Sequence, residues 1–263
     1  DGAKTSVADL LYAYMFAYRW GTQSDGSNSH YDPYVDFATA SMRRQLAALR
    51  LMGSDAVSRS FRIGDVNFVR ELFTIEVYAT VTPEDPERNA DVEPPWSTLP
   101  WHLVALMEEA VARGWGAFSK GEAMRRGVAW LDLVRSKQIN AQLASLVETF
   151  EHEGFRPLAL QSFVSAEEAR KRWAALAAFY RAHGHFLVTS GPYQVKRWSA
   201  ETVTLDAFRD LTYPLGVGSY DAYAVPRRGY ITNVTREKGG VSLSGDIETV
   251  IKFARSYRIE RAP

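Results

Sequence analysis

Ser165-Ala166-Glu167-Glu168 opens the strongest local pattern in this sequence, and Gly184 closes it. A serine followed three residues later by glutamate is a capping box, which satisfies the free amides at the start of a helix. Ala166, Ala169, Trp173, Leu176, Ala177 and Tyr180 then form one apolar stripe at helical spacing. Glycine is the usual stop. The period changes at once afterwards. GHFLVTSGPYQVKRWSAETVTL, residues 184–205, reads as a strand over 186–190, a break at Gly191-Pro192, and further strands over 193–198 and 202–206. A chain that moves from a 3.6-residue to a 2-residue period in long blocks builds its helices and sheets in separate stretches.

The same contrast runs through the rest of the chain. Thr5 or Ser6 caps a predicted helix over 7–20, with Asp9 as the third helical residue and Gly21 as its stop. A second helix follows Asp32-Pro33, with Phe37, Met42, Leu46, Leu49 and Met52 on one face. Leu72, Phe73, Ile75, Val77, Ala79 and Val81 mark a strand. Residues 83–95 hold four prolines and five acids and read as a linker. Residues 97–183 are helical almost throughout, starting from a cap at Ser97 or Thr98. Alternation returns in the last stretch as a small antiparallel unit. The expected class is α+β (mixed α/β).

Composition excludes several function classes. Lys plus Arg and Asp plus Glu both number 31, so the basic excess of a nucleic-acid binder is missing. With no cysteine there is neither a disulfide nor thiolate chemistry. No run of 18 apolar residues is present to cross a bilayer as a helix. The chain starts at Asp1-Gly2 without an initiator Met, as expected of a processed or trimmed chain, and any export signal would lie upstream. Aromatic residues make up 13%, enough to furnish a core and leave some for an organic ligand.

Few residues carry a chemical signature. His183 and His185 would face the same side of a strand, as a metal pair requires, but no third ligand accompanies them, and a helix cap explains His183 as well. Asp206, Asp210 and Asp221 are scattered acids that would serve glycosidic or peptide hydrolysis only if two converged. Trp96 and Trp101 beside the acidic linker are candidates to stack a ligand, or to staple a helix start. Arg227 could grip a carboxylate, or sit in a solvated turn with Arg228. Tyr213 and Tyr223 complete the ligand-binding candidates. No catalytic residue, metal or cofactor is expected.

Two motifs in order resemble the family 5 extracellular solute-binding proteins, the peptide- and nickel-type receptors of ABC importers. Asp1-Gly2 with Val7-Ala8-Asp9-Leu10 is similar to the family's D-G, T-A-x-D sequence and aromatic helix, with Val7 where threonine is usual. Ser190-Gly191-Pro192-Tyr193, Val195 and Trp198 are similar to its T/N-G-P-Y-x-V-x-x-W. The N-P-x-Y-W segment is replaced by Asp206 to Pro214. The interval between the motifs is longer than usual.

The resemblance implies a periplasmic-binding-protein-like lobe over 1–215 with a long helical insertion at 97–183, and a β-rich segment over 216–263. It implies a periplasmic or extracellular receptor fragment, either free or lipid-anchored through upstream sequence. That fragment would take a peptide-like or other small organic solute without catalysis and would partner an importer's permease. Asp1, Gly2, Asp9, Gly191, Pro192, Tyr193 and Trp198 would be structural. The alternatives are a hydrolase using Asp206 and Asp210, and a protein-interaction scaffold built on 97–183.

Overall fold

A computed structural model describes residues 1–23, 30–55, 61–68, 72–81, 97–208, 228–252 and 257–262. The chain divides into two compact units, Asp1–Phe208 and Arg209–Pro263. Two helices open the first unit, four more form its middle, and the described strands pair antiparallel, so the class is α+β. Among the described residues no helix is long and apolar enough to cross a membrane.

Helix α1 spans Val7–Gly21. The Ser6 amide donates to Asp9 Oδ2 at 2.7 Å, closing the capping box that the sequence predicts. Gly21 ends the helix without a left-handed turn. It is small because α2 crosses there: a Cβ would lie 3.0 Å from both Arg43 Nε and Thr39 Oγ1. Helix α2, Pro33–Gln45, is capped by Asp32, whose Oδ1 accepts from the Tyr34 and Val35 amides.

The expected continuation of α2 through Leu49 and Met52 does not occur. Leu46 begins strand β1, Leu46–Asp55, which pairs antiparallel with β4, Leu72–Ala79. A short apolar run fits either period, and here the remote partner strand decides. Phe37, placed on the apolar stripe by its spacing, is 88% exposed. Between these strands lies a small hairpin of β2, Phe61–Ile63, and β3, Val66–Phe68.

The core is helical. Helix α3, Trp101–Ala112, begins at Pro100, which has no side-chain oxygen to offer as a cap. Helix α4, Lys120–Arg126, is capped by Ser119. Helix α5, Lys137–Glu153, starts from Ser136 and stops at Gly154 in the left-handed region. After a 3-10 turn at Leu158–Leu160, helix α6, Ala166–His183, runs from Ser165 to Gly184, as its pattern predicts. Helices α5 and α6 pack together, and Trp101, Leu106, Leu143, Leu160, Trp173 and Leu176 are all under 2% exposed.

Residues 186–190 join no sheet, contrary to the strand expected there, and the Val188 amide turns back onto Phe186 O. The Phe186 amide donates to Leu133 O and the Ser190 amide to Thr98 O, so helix-connecting loops take the bonds that a partner strand would have taken. Phe186 and Val188 are buried. The hairpin lies further on: β5, Tyr193–Trp198, pairs with β6, Val203–Ala207, and Ser199 and Thr202 bond across the turn. Gly191-Pro192 is therefore a corner leading into the hairpin rather than its turn.

The second unit is a meander of β7, Gly229–Glu237, β8, Gly240–Lys252, and β9, Tyr257–Ala262. The final alternation of the sequence predicts such a unit. Val234 pairs with Leu243, and Val241 and Ile247 project from the same face as Leu243, each more than half exposed.

The helix stops give a local test. At Gly154 φ is +63°, and a Cβ would sit 2.9 Å from Ala166 O; at Gly127 φ is +67° with open space around it. Gly127→Ala is expected to cost about 1 kcal/mol from backbone strain alone, and Gly154→Ala roughly twice that. Urea unfolding of both variants measures the difference.

Candidate functional site

Two buried charged clusters tie α1 to the helical core. The first centres on Asp9, only 8% exposed. Its Oδ1 accepts from the Trp101 amide and Arg172 Nη1, both at 2.9 Å, and its Oδ2 accepts from Arg172 Nη2 at 3.0 Å and the Ser6 amide. One carboxylate thus serves the starts of both α1 and α3, where helix dipoles favour negative charge. Arg172, 4% exposed on α6, also donates to Lys4 O and Ser6 Oγ, and its guanidinium lies 5.7 Å from the Trp101 ring centroid.

His102, fully buried next to Trp101, donates from Nε2 to Asp1 Oδ2 at 2.7 Å. Its Nδ1 meets no donor among the described residues. Burial, reinforced by the Arg172 charge, outweighs the Asp9 carboxylate and pushes the imidazole down to about 3, so the ring is neutral.

The second cluster centres on Glu108, 5% exposed on α3. It accepts hydrogen bonds from the Tyr12 hydroxyl and from Trp20 Nε1, the latter at 2.5 Å, while Arg19 Nη1 lies 3.7 Å away. Burial pushes the Glu108 carboxyl above its ordinary range despite these donors. Burial and the Glu108 charge push the Tyr12 hydroxyl up as well. A carboxyl perturbed in this way is often a general acid. Here both oxygens are engaged from within the core, so the group latches α1 to α3.

These clusters account for the first motif. Asp1 and Asp9 anchor it, and Gly2 adopts φ +80° between Asp1 and Ala3. In the second motif, Gly191-Pro192 is the corner, Tyr193 opens β5 with its side chain 59% exposed, and Trp198 closes β5 with its ring 5.8 Å from that of His185. Trp101 has no exposed surface; it packs edge-on against Trp173 and presents nothing to a cleft. Trp96, Tyr213, Tyr223 and Arg227 lie outside the described residues, as do Asp210, Asp221 and the 83–95 linker. Asp206 is paired with Lys196 Nζ at 2.9 Å on the exposed surface of the hairpin. No group of three or more metal-ligating side chains comes together among the described residues.

Sequence reasoning missed Arg172 and Glu108. Each left a signal: Arg172 sits on the buried side of α6 beside Trp173, and Glu108 lies within WHLVALMEEAV, a helix apolar on nearly every side. A charge in such a place needs a buried partner.

Arg172→Met leaves Asp9 buried without its counter-charge and is expected to cost about 3–5 kcal/mol in urea unfolding; adding Asp9→Asn recovers part of that loss. The two titrating groups have opposite signs. Between pH 6.5 and about 3 the unfolded His102 binds a proton that the folded ring refuses, so stability falls with acidification by up to about 1.4 kcal/mol per pH unit. Glu108 keeps its proton to a higher pH in the folded state than in the unfolded, so its contribution is present below pH 4.5 and is lost as pH rises through its raised pKa. Stability–pH profiles of His102→Gln and Glu108→Gln should each lack the corresponding limb.

No protein-family model matches this chain, and no curated protein matches it.

Proposed function

We propose that the chain is one lobe of a solute-capturing receptor of an ABC-type importer, resembling the family 5 peptide- and nickel-binding receptors, and that it takes a peptide-like or other small organic solute without chemistry. The observation that carries this reading is the Asp9–Arg172 pair. It ties the first motif to α6, and α6 leads through His185 and Ser190 directly into the second. Two motifs far apart in sequence thus belong to one compact unit, Asp1–Phe208, with their acids and corner residues in architectural roles.

On this reading capture works by closure of two lobes over the solute, driven by the solute's higher affinity for the closed form. Trp96, Tyr213 and Tyr223 are the stacking candidates and Arg227 the counter-ion for a solute carboxylate, assigned by residue type and order in the sequence. Trp101 supports the core instead. The receptor works outside the cytoplasm and hands its solute to a membrane permease.

The test is a thermal-shift screen of the full-length polypeptide that contains this stretch, against short peptides, amino acids, sugars and nickel chelates. A rise in Tm with one class and no turnover is expected; ligand at a hundred times Kd adds about 2.7 kcal/mol. Turnover of a peptide or saccharide that disappears in Asp206→Asn overturns the reading, as does a full-length polypeptide that is made without an export signal and stays in the cytoplasm.

A further inference from the structure

The two histidines that precede the second motif have unlike environments. His183 ends α6, with its ring 4.4 Å from that of Phe179. His185 is 1% exposed just past the Gly184 stop. Its Nδ1 accepts a hydrogen bond from the Leu187 amide at 3.2 Å, so that nitrogen carries no proton. Its Nε2 therefore carries the hydrogen and donates to Val195 O, in β5, at 3.4 Å. The ring lies edge-on to Phe179 at 5.4 Å on one side and to Trp198 at 5.8 Å on the other. One neutral imidazole thus touches the end of α6, the segment after it, and both the middle and the end of β5.

We propose that His185 is a pH-sensitive joint: neutral, it holds the β5–β6 hairpin on the end of α6, and protonated, it releases the hairpin. A proton on Nδ1 would point at the Leu187 N–H, replacing a hydrogen bond with two facing donors. It would also place a cation in a buried aromatic slot. The charged groups nearby do not compensate. From α6 the facing titratable group is His183, whose own protonation adds repulsion. On β5, Lys196 and Arg197 flank the contact between Val195 and Trp198, and Asp206 of β6 is occupied by Lys196. The Nε2 bond to Val195 O favours the protonated ring, but burial outweighs it and holds the His185 ring below its ordinary value, so release, which returns the ring to water, belongs to acid conditions. The joint needs no ligand and stands whether or not the chain is a receptor.

Hydrogen exchange of residues 193–207 in the whole protein at pH 7.5 and pH 5, corrected for the intrinsic pH dependence of exchange, tests the joint. Acidification is expected to speed hairpin exchange by about tenfold, as the loss of one net hydrogen bond implies. His183→Gln should keep that response, and His185→Gln should exchange equally fast at both pH values. In wild-type protein followed by NMR, the Leu187 amide signal should titrate together with the His185 ring, a measurement that does not depend on the variant folding. Equal hairpin protection at both pH values, a pH response that survives in His185→Gln, or a Leu187 signal indifferent to the ring's titration each overturns the proposal.

Discussion

Asp9 holds the first unit together because a single carboxylate meets four donors from three parts of the chain. The Ser6 amide belongs to the start of α1, the Trp101 amide to the start of α3, and both guanidinium nitrogens to the middle of α6. Proline at the α3 cap position explains the arrangement. Pro100 has no side chain to accept from the first amides of its own helix, so the cap is supplied from another helix. Exchanging a buried ion pair for apolar side chains is often neutral in stability. Hydrocarbon could not cap α3, however, so the pair also fixes where α1 lies on the core.

Glu108 shows the opposite solution on the same two helices. Asp9 sits at helix starts, where peptide dipoles and Arg172 offset its charge. Glu108 lies past the midpoint of α3, where the intrahelical amides are already used, and must draw its donors from the Tyr12 and Trp20 side chains. That is why burial raises its pKa. Together the two acids hold α1 at two places along its length, one near Asp9 and the other along the Tyr12–Trp20 side. This leaves the helix little freedom to slide. A helix whose first and last turns are both pinned to α3 can carry a motif that acts through its position.

Legibility in the sequence follows how local each interaction is. Caps at Asp32, Ser119 and Ser165 accept from amides two or three residues away, and Asp9 reaches back three residues to the Ser6 amide, so side-chain type and spacing reveal them. The C-terminal alternation is equally local, because each strand of the meander pairs with the next. Leu46 marks the limit. It fits the apolar face of α2 and becomes a strand only because residues 72–79 pair with it. Residues 186–190 fail in the converse way: the alternation is present, but Leu133 O and Thr98 O take the amides in place of a strand. Arg172 and Glu108 are visible as misplaced charges, yet their partners lie 163 and 96 residues away, and spacing alone cannot name them. The two motifs were legible as an ordered pair, whereas four of the five ligand-binding candidates fall outside the described residues and Trp101 is core.

The contrast between Asp9 and His185 orders the stability of the unit. Asp9–Arg172 joins three helices through charge-assisted bonds in a core that includes Trp101 and Trp173. The hairpin meets the end of α6 through one neutral ring, a 3.4 Å hydrogen bond and edge-on aromatic contacts, while Tyr193, Val203 and Leu205 are each more than half exposed. Few buried contacts and an exposed ladder are the marks of a segment that opens below the global unfolding free energy. The hairpin can therefore move without disturbing α1, α3 or α6. The second motif, with Gly191-Pro192 as its corner, stands at the boundary between the fixed part of the unit and the part free to respond.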